Sequence, residues 1–168
     1  MDGNQLQFAI RQIEFARAYT STLLDGLTDD DWFRQPPAGT THVAWQVGHL
    51  AMAEYGLCLF RLRGRRPEDL DLMSSKFRKQ YSKGSQPDPE PQNNPTPAEL
   101  RETLERVHRQ ALSELAGCTE QQLAEPIDEP YAVTPTKLGA LFFCSHHEML
   151  HAGQIGLLRR LLGKSPVR

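Results

Sequence analysis

The placement of proline restricts the fold of this sequence more than any other feature, because a proline inside a helix costs about 3 kcal/mol. Five of the 12 prolines fall between residues 87 and 97, and the longest proline-free stretches are 1–35, 38–66, 98–125 and 136–165. Each stretch is long enough to form a helix that crosses a small domain. The sequence therefore predicts two pairs of helices, separated by an irregular crossover over residues 82–96.

Apolar residues recur at spacings of three and four in each stretch, which is typical of a helix with one buried face. The pattern predicts helices over about 4–25, 42–63 and 97–116, and a fourth from 136 to a stop at Gly163. Short helical turns are expected at 28–33, 67–81 and 119–123. No segment alternates as a strand, and residues 126–135 contain three prolines. We therefore expect an all-α fold, a four-helix bundle with one long crossover between helices two and three.

Length and composition define the class of protein. A chain of 168 residues predicts one domain over 1–168, and its 39% hydrophobic content suffices for a core without a disulfide or a structural metal. The 19 basic and 21 acidic residues give a net charge of -2, so nucleic acid is not an expected partner. No apolar run reaches the roughly 18 residues that span a membrane. We expect a soluble protein that acts on a small molecule.

The cysteines and the N-terminus bear on location. Cys58, Cys118 and Cys144 are odd in number and far apart, which is typical of a reducing compartment. The first residues lack the basic and apolar regions of a signal peptide. Both observations predict a cytoplasmic protein.

Histidines carry the strongest chemical signal. His147 and His151 are four residues apart, so their Cβ atoms lie about 5–6 Å apart on one helix face. Burial of two unpaired imidazoles is costly, and either a metal ion or ordinary hydrogen bonds can satisfy them. His49, in the middle of helix two, supplies a third imidazole from a facing helix, as in other bundle metal sites. Three imidazoles leave a fourth metal position open, which is typical of a catalytic site.

Residues 147–151 (HEMLH) also match the HExxH pattern of zinc peptidases, in which the glutamate is the general base. Residues 152–168 contain no His, Asp or Glu as a downstream third ligand, and the chain offers no strand edge for an extended substrate. Glu148 lies about 100° around the helix from His147, so it is either a proton acceptor near the metal or an interhelical partner. Gln154, on the same stripe, is expected to support a ligand through a hydrogen bond.

Other polar residues have simpler interpretations. His42, His108 and His146 are expected to be structural or exposed. Four arginines between residues 61 and 66 could hold an anionic substrate, but a solvated helix end followed by acidic residues is the simpler explanation.

Two segments resemble a known family: residues 45–50 (WQVGHL) on helix two and 147–155 (HEMLHAGQI) on helix four. Together with the proline-rich crossover and the LLRRLLG ending, they are similar to the DinB-like metalloprotein superfamily. The resemblance implies a bundle in up-down-down-up order and a divalent metal on His49, His147 and His151. It also implies a homodimer, since relatives are often dimers.

For activity, the resemblance implies a transferase or isomerase that uses a low-molecular-weight thiol. An open divalent site bearing Zn, Ni or Fe can bind a thiol as thiolate and present it to an electrophile. Two alternatives stay open: hydrolysis by the HExxH segment, and a metal-binding bundle without turnover that serves as a sensor or interaction module.

Overall fold

The computed structural model describes residues 4–36, 39–128 and 131–167, and its helices form a four-helix bundle. In chain order the helices are α1 (Asn4–Leu24), α2 (Val43–Glu54), α3 (Asp69–Leu72), α4 (Ser75–Gln80), α5 (Pro97–Leu115), α6 (Glu120–Ala124) and α7 (Lys137–Leu161). The long helices α1, α2, α5 and α7 make up the bundle. The prediction of an all-α bundle with a crossover between its second and third helices is confirmed.

The second bundle helix does not end at Glu54. It continues as a π-helical turn over Tyr55–Phe60 and closes with Arg61–Arg63, before Gly64 adopts a positive φ of 78°. Single π turns are rare and occur often at functional sites. Here the turn contributes Gly56, Leu57 and Phe60 to the wall of a cleft.

Side-chain caps fix where the bundle helices begin. Thr96 and Glu99 form a capping box at the start of α5, and Thr136 accepts a hydrogen bond from the Gly139 amide at the start of α7. At α2 the cap is a histidine: His42 Nδ1 accepts from the Trp45 amide at 3.0 Å. Its Nε2 donates to the Asp88 carbonyl at 2.9 Å, so one buried imidazole joins α2 to the crossover.

The apolar faces meet in one core. Helix α1 packs along α7, and α2 packs on α5 and α7. Ile13, Leu50, Leu100 and Ile155, one from each bundle helix, are fully or almost fully buried. Residues 126–128 and 131–136 form no helix or strand, and the β-bridge found in the described ranges is the single antiparallel one between Pro126 and Thr136. In those ranges, too, no helix is long and apolar enough to cross a membrane.

Candidate metal centre

Three histidines meet between α2 and α7. One nitrogen from each of His49, His147 and His151 lies within 4.8 Å of the other two. The Nε2 atoms of His147 and His151 are 3.2 Å apart, and the His49 ring centroid is 4.8 Å from that of His151. The structure therefore brings together the three side chains that the sequence singled out.

The second nitrogens of two of these rings are held by the protein. His49 Nδ1 donates to the Tyr81 carbonyl at 2.8 Å, and His151 Nδ1 donates to Gln46 Oε1. Gln46 Nε2 donates in turn to Thr41 Oγ1 at 2.9 Å, which orients the amide oxygen toward His151. A proton on Nδ1 leaves the Nε2 lone pair of both rings facing the centre of the cluster. This is the arrangement that suits a metal ion.

A close contact places the Tyr81 carbonyl. A Cβ atom at Gly48 would lie 2.5 Å from the Tyr81 ring, so only glycine lets that ring rest against α2. On another side of His49, the Trp45 ring stacks on the imidazole with centroids 4.8 Å apart and planes 6° apart. Trp45 Nε1 donates to Ser85 Oγ at 3.0 Å. The His49 ring is thus fixed from α2 and from the segment that follows α4.

The surroundings keep the imidazoles neutral. Burial, with a smaller effect of His49, lowers the pKa of His147 to about 4. Burial, together with His147 and His49, lowers the pKa of His151 to about 3. Burial also lowers the pKa of His49, against the opposing effect of the Tyr81 hydrogen bond. Neutral imidazole is the form that binds metals, so the cluster is in its metal-binding form at neutral pH.

The histidines form the floor of a cleft of about 630 Å³. Its walls are mainly apolar: Trp45, Met52, Leu57, Phe60, Phe143 and Leu150. Besides the histidines, the charged or titratable side chains among its described lining residues are Arg61, Lys83 and Tyr131. A cleft of this size and character is typical of a small-molecule site.

Glu148 lies in a second buried cluster. Both of its carboxylate oxygens accept from Arg17 of α1, at 2.8 and 3.0 Å, and its residue is 2% exposed. Of the two roles that the sequence left open, the structure places Glu148 in the interhelical one. The 100° rotation from His147 directs its carboxylate to α1 and away from the cleft.

The cluster around Arg17 takes one residue from each bundle helix. Arg17 also donates to Glu54 of α2 at 2.9 Å, and Glu54 accepts from His108 of α5 at 2.7 Å. Burial alone would raise the pKa of Glu54, but the charge of Arg17 and the His108 hydrogen bond outweigh it and lower that pKa. Every charged group in this cluster therefore has a partner within the protein.

The expectation for Gln154 needs correction. Gln154 is exposed, and the amide that holds His151 is that of Gln46. Gln154 is one turn beyond His151 on α7, but its side chain is on the exposed surface, whereas the Gln46 amide reaches His151 from α2. Gln46 carried a signal that sequence reasoning missed: it is three residues before His49 on the same helix face. The Tyr81 carbonyl had no such signal, because a backbone atom leaves no mark on the sequence.

The remaining residues of interest lie outside the histidine cluster. His42 caps α2, His108 is buried against Glu54, and His146 is exposed. Of the arginines after residue 60, Arg63 pairs with Asp69 and Glu114 at 2.8 and 2.7 Å, whereas Arg61 lines the cleft.

Comparisons with known proteins agree with this geometry. The family model described as DinB superfamily matches residues 12–155. Among solved structures, the chain is similar to YfiT from Bacillus subtilis, with a TM-score of 0.63, 20% identity, and coverage of 98% of this chain and 91% of that one. YfiT is described as "a probable metal-dependent hydrolase with an unusual four-helix bundle topology". At this identity the likeness shows the fold. No curated protein sequence matches the chain.

Proposed function

The chain belongs to the DinB superfamily, and from that premise we propose that it is a metal-dependent enzyme with one divalent ion on His49, His147 and His151. The observation that carries the proposal is the convergence of three ring nitrogens within 4.8 Å, with the second nitrogens of His49 and His151 already bonded to the protein. Three ligands leave a coordination position open toward the cleft. Three imidazoles suit Zn, Ni or Fe, and metal analysis distinguishes among them.

The proposed reaction is transfer or isomerisation with a low-molecular-weight thiol as cosubstrate. A divalent ion held by the histidines supplies the Lewis acidity that lowers the pKa of a thiol bound beside it. The chain itself orients the ligands through Gln46 and Tyr81 and excludes water with the apolar walls of the cleft. The electrophile then occupies the cleft next to the nucleophile.

Hydrolysis is the second candidate, and the likeness to YfiT favours it. Hydrolysis of the HExxH type needs a carboxylate beside the attacking water. Glu148 is bonded to Arg17 instead, and no carboxylate is among the described residues that line the cleft. This observation argues against hydrolysis of the HExxH type, which leaves attack by a metal-bound water as the form of hydrolysis that competes with the thiol reaction.

The experiment begins with elemental analysis of the untagged protein, followed by substitution with cobalt. Addition of glutathione and other small thiols should produce a thiolate-to-cobalt charge-transfer band, and the zinc or nickel form should then consume an electrophile such as 1-chloro-2,4-dinitrobenzene. His147→Ala should lose both responses, and His146→Ala, an exposed neighbour, should keep them. Ester hydrolysis without any thiol response would favour the hydrolase. Metal binding without either activity would favour a sensor or interaction module.

The expected partners are also proposals. A small molecule is the proposed ligand, without nucleic acid or membrane, in a cytoplasmic protein that forms a homodimer. Light scattering tests the dimer, because a mass near 19.0 kDa would identify a monomer.

A further inference from the structure

Two cationic side chains lie among the described lining residues of the cleft. Arg61 and Lys83 are lining residues, and the described part of the lining contains no Asp or Glu. The chain as a whole has a net charge of -2, so the placement of two cationic side chains at one cleft is a local feature. A divalent ion on the histidines would add to this positive charge. Low-dielectric walls strengthen such a field, because they screen charge less than water does.

Tyr131 connects the two cations. Arg61 Nη1 donates to the Tyr131 carbonyl at 3.0 Å, and Lys83 Nζ donates to the Tyr131 hydroxyl and lies 4.8 Å from the ring centroid. The Tyr131 ring also packs 5.7 Å from Phe143, whose own ring is 5.8 Å from that of His147. Tyr131 thus contacts both cations, and a single ring, that of Phe143, lies between Tyr131 and His147.

The backbone of Tyr131 is strained. Its φ is 72°, and it is the one residue other than glycine with a positive φ in the described part of the chain. This conformation is unfavourable for residues other than glycine and is found more often where a side chain serves a site. The side chain is nevertheless 44% exposed, so burial of the ring does not account for the strain. With this backbone conformation, Tyr131 lines the cleft.

We propose that the cleft binds a small molecule with an apolar body and a carboxylate, and that Arg61 and Lys83 bind the carboxylate at the rim. The apolar body lies against Met52, Leu57 and Phe143, which directs the far end of the molecule to the histidines. Guanidinium and ammonium groups form the stronger, charge-assisted class of hydrogen bond with a carboxylate. This inference names the class of substrate for the proposed function. It rests on the proposed function for the reaction itself.

The test compares 4-phenylbutyrate with its neutral isostere 4-phenylbutanamide by calorimetry or NMR titration of the full chain, both metal-free and zinc-loaded. We expect the metal-free protein to bind the acid about tenfold more tightly than the amide, and added salt to reduce the difference. Lys83→Gln and Arg61→Gln should each weaken acid binding about three- to tenfold with little effect on the amide. Lys79→Gln, which removes an exposed lysine outside the cleft, is the matched control and should bind both probes as the wild type does.

The outcomes separate this inference from the proposed function. Equal affinity for acid and amide in the metal-free protein, or unchanged acid binding in both cleft variants, overturns the inference. A preference for the acid that requires zinc and is unchanged by both substitutions also overturns the inference, because the carboxylate then binds the ion. That result would still support the proposed metal site. Conversely, an acid preference that depends on Lys83 and Arg61 in a chain that takes up no metal supports the inference and rejects the proposed enzyme.

Discussion

Two polar clusters are buried in the same bundle, and they differ in what completes them. In the first, Arg17, Glu54, His108 and Glu148 come from four helices, and each charged group meets its partner within 3.0 Å. In the second, His49, His147 and His151 direct nitrogens at one another and open onto a cleft. The first cluster is complete without any ligand, whereas in the second the Nε2 atoms of His147 and His151 face each other at 3.2 Å, an arrangement that suits two ligands of one ion.

Neighbouring residues of α7 divide between the two clusters. His147 belongs to the histidine cluster, called the open cluster here because it faces the cleft. Glu148 belongs to the Arg17 cluster, called the closed cluster because its groups pair within the protein. The two residues differ because successive residues of a helix point about 100° apart. Burial of a polar residue is therefore not in itself a sign of function in this bundle. The distinguishing sign is a set of like groups whose nitrogens converge on one point at the edge of a cleft.

Substitution in the closed cluster should have the largest effect. Arg17→Met leaves two buried carboxylates without their shared cation, and breaking a buried ion pair in this way costs about 3–5 kcal/mol. Urea denaturation of the metal-free protein measures the change in the free energy of unfolding. Arg109→Met, which removes an exposed ion pair with Glu105 at 3.3 Å, is the control and should cost less than about 0.5 kcal/mol. Similar losses in both variants would show that the Arg17 cluster does not stabilise the bundle.

Substitutions in the open cluster should lower metal affinity and leave the fold intact. His49→Ala, His147→Ala and His151→Ala each remove one metal ligand, so zinc affinity should fall by more than about 100-fold. Loss of a hydrogen-bond partner of a ligand typically lowers affinity by about 100-fold at most. The metal-free variants should stay folded and helical, because the hydrophobic core does not depend on the ion. Competition with a chromophoric chelator and circular dichroism measure the two properties. His146→Ala should bind zinc as the wild type does; unfolding of all three ligand variants would contradict the contrast between the clusters.

A smaller effect distinguishes the two glutamines. Gln46→Ala removes the acceptor that holds His151 Nδ1–H, which typically lowers metal affinity about 10–100-fold. Gln154→Ala should leave affinity unchanged, because that side chain is exposed on α7. The same chelator competition compares them. If Gln154→Ala had the larger effect, the assignment of the supporting amide to Gln46 would be wrong.

The sequence predicted the fold in more detail than the site. The expected helix limits of 4–25 and 97–116 differ by one residue from Asn4–Leu24 and Pro97–Leu115, because the apolar spacing of α1 and the Thr96–Pro97 start of α5 are local features. The pairing of His147 with His151 follows from helix geometry alone. The π turn over Tyr55–Phe60 and the contact of Arg17 with Glu148 could not be predicted, since both depend on how distant helices pack. The sequence indicates the contact between Arg17 and Glu148 only weakly, through the position of Arg17 beside the apolar stripe of α1.

A fall in pH should give the smallest of these effects, because it should reduce the contribution of the open cluster to stability before that of the closed cluster. The folded pKa values of about 4 for His147 and about 3 for His151 lie below the value near 6.5 of an unfolded histidine. Between these values the unfolded chain binds protons that the folded protein does not, so the histidine contribution to stability is complete above pH 6.5 and declines as the pH falls toward 4. The pKa of Glu54 is lowered from 4.5, so its contribution persists through this window and is lost only in stronger acid. The metal-free wild type should therefore lose more stability from pH 7 to pH 5, as measured by urea midpoints, than the His147→Ala/His151→Ala double variant. His146→Ala should follow the wild type, and equal losses in wild type and double variant would show that the cluster does not hold its imidazoles neutral.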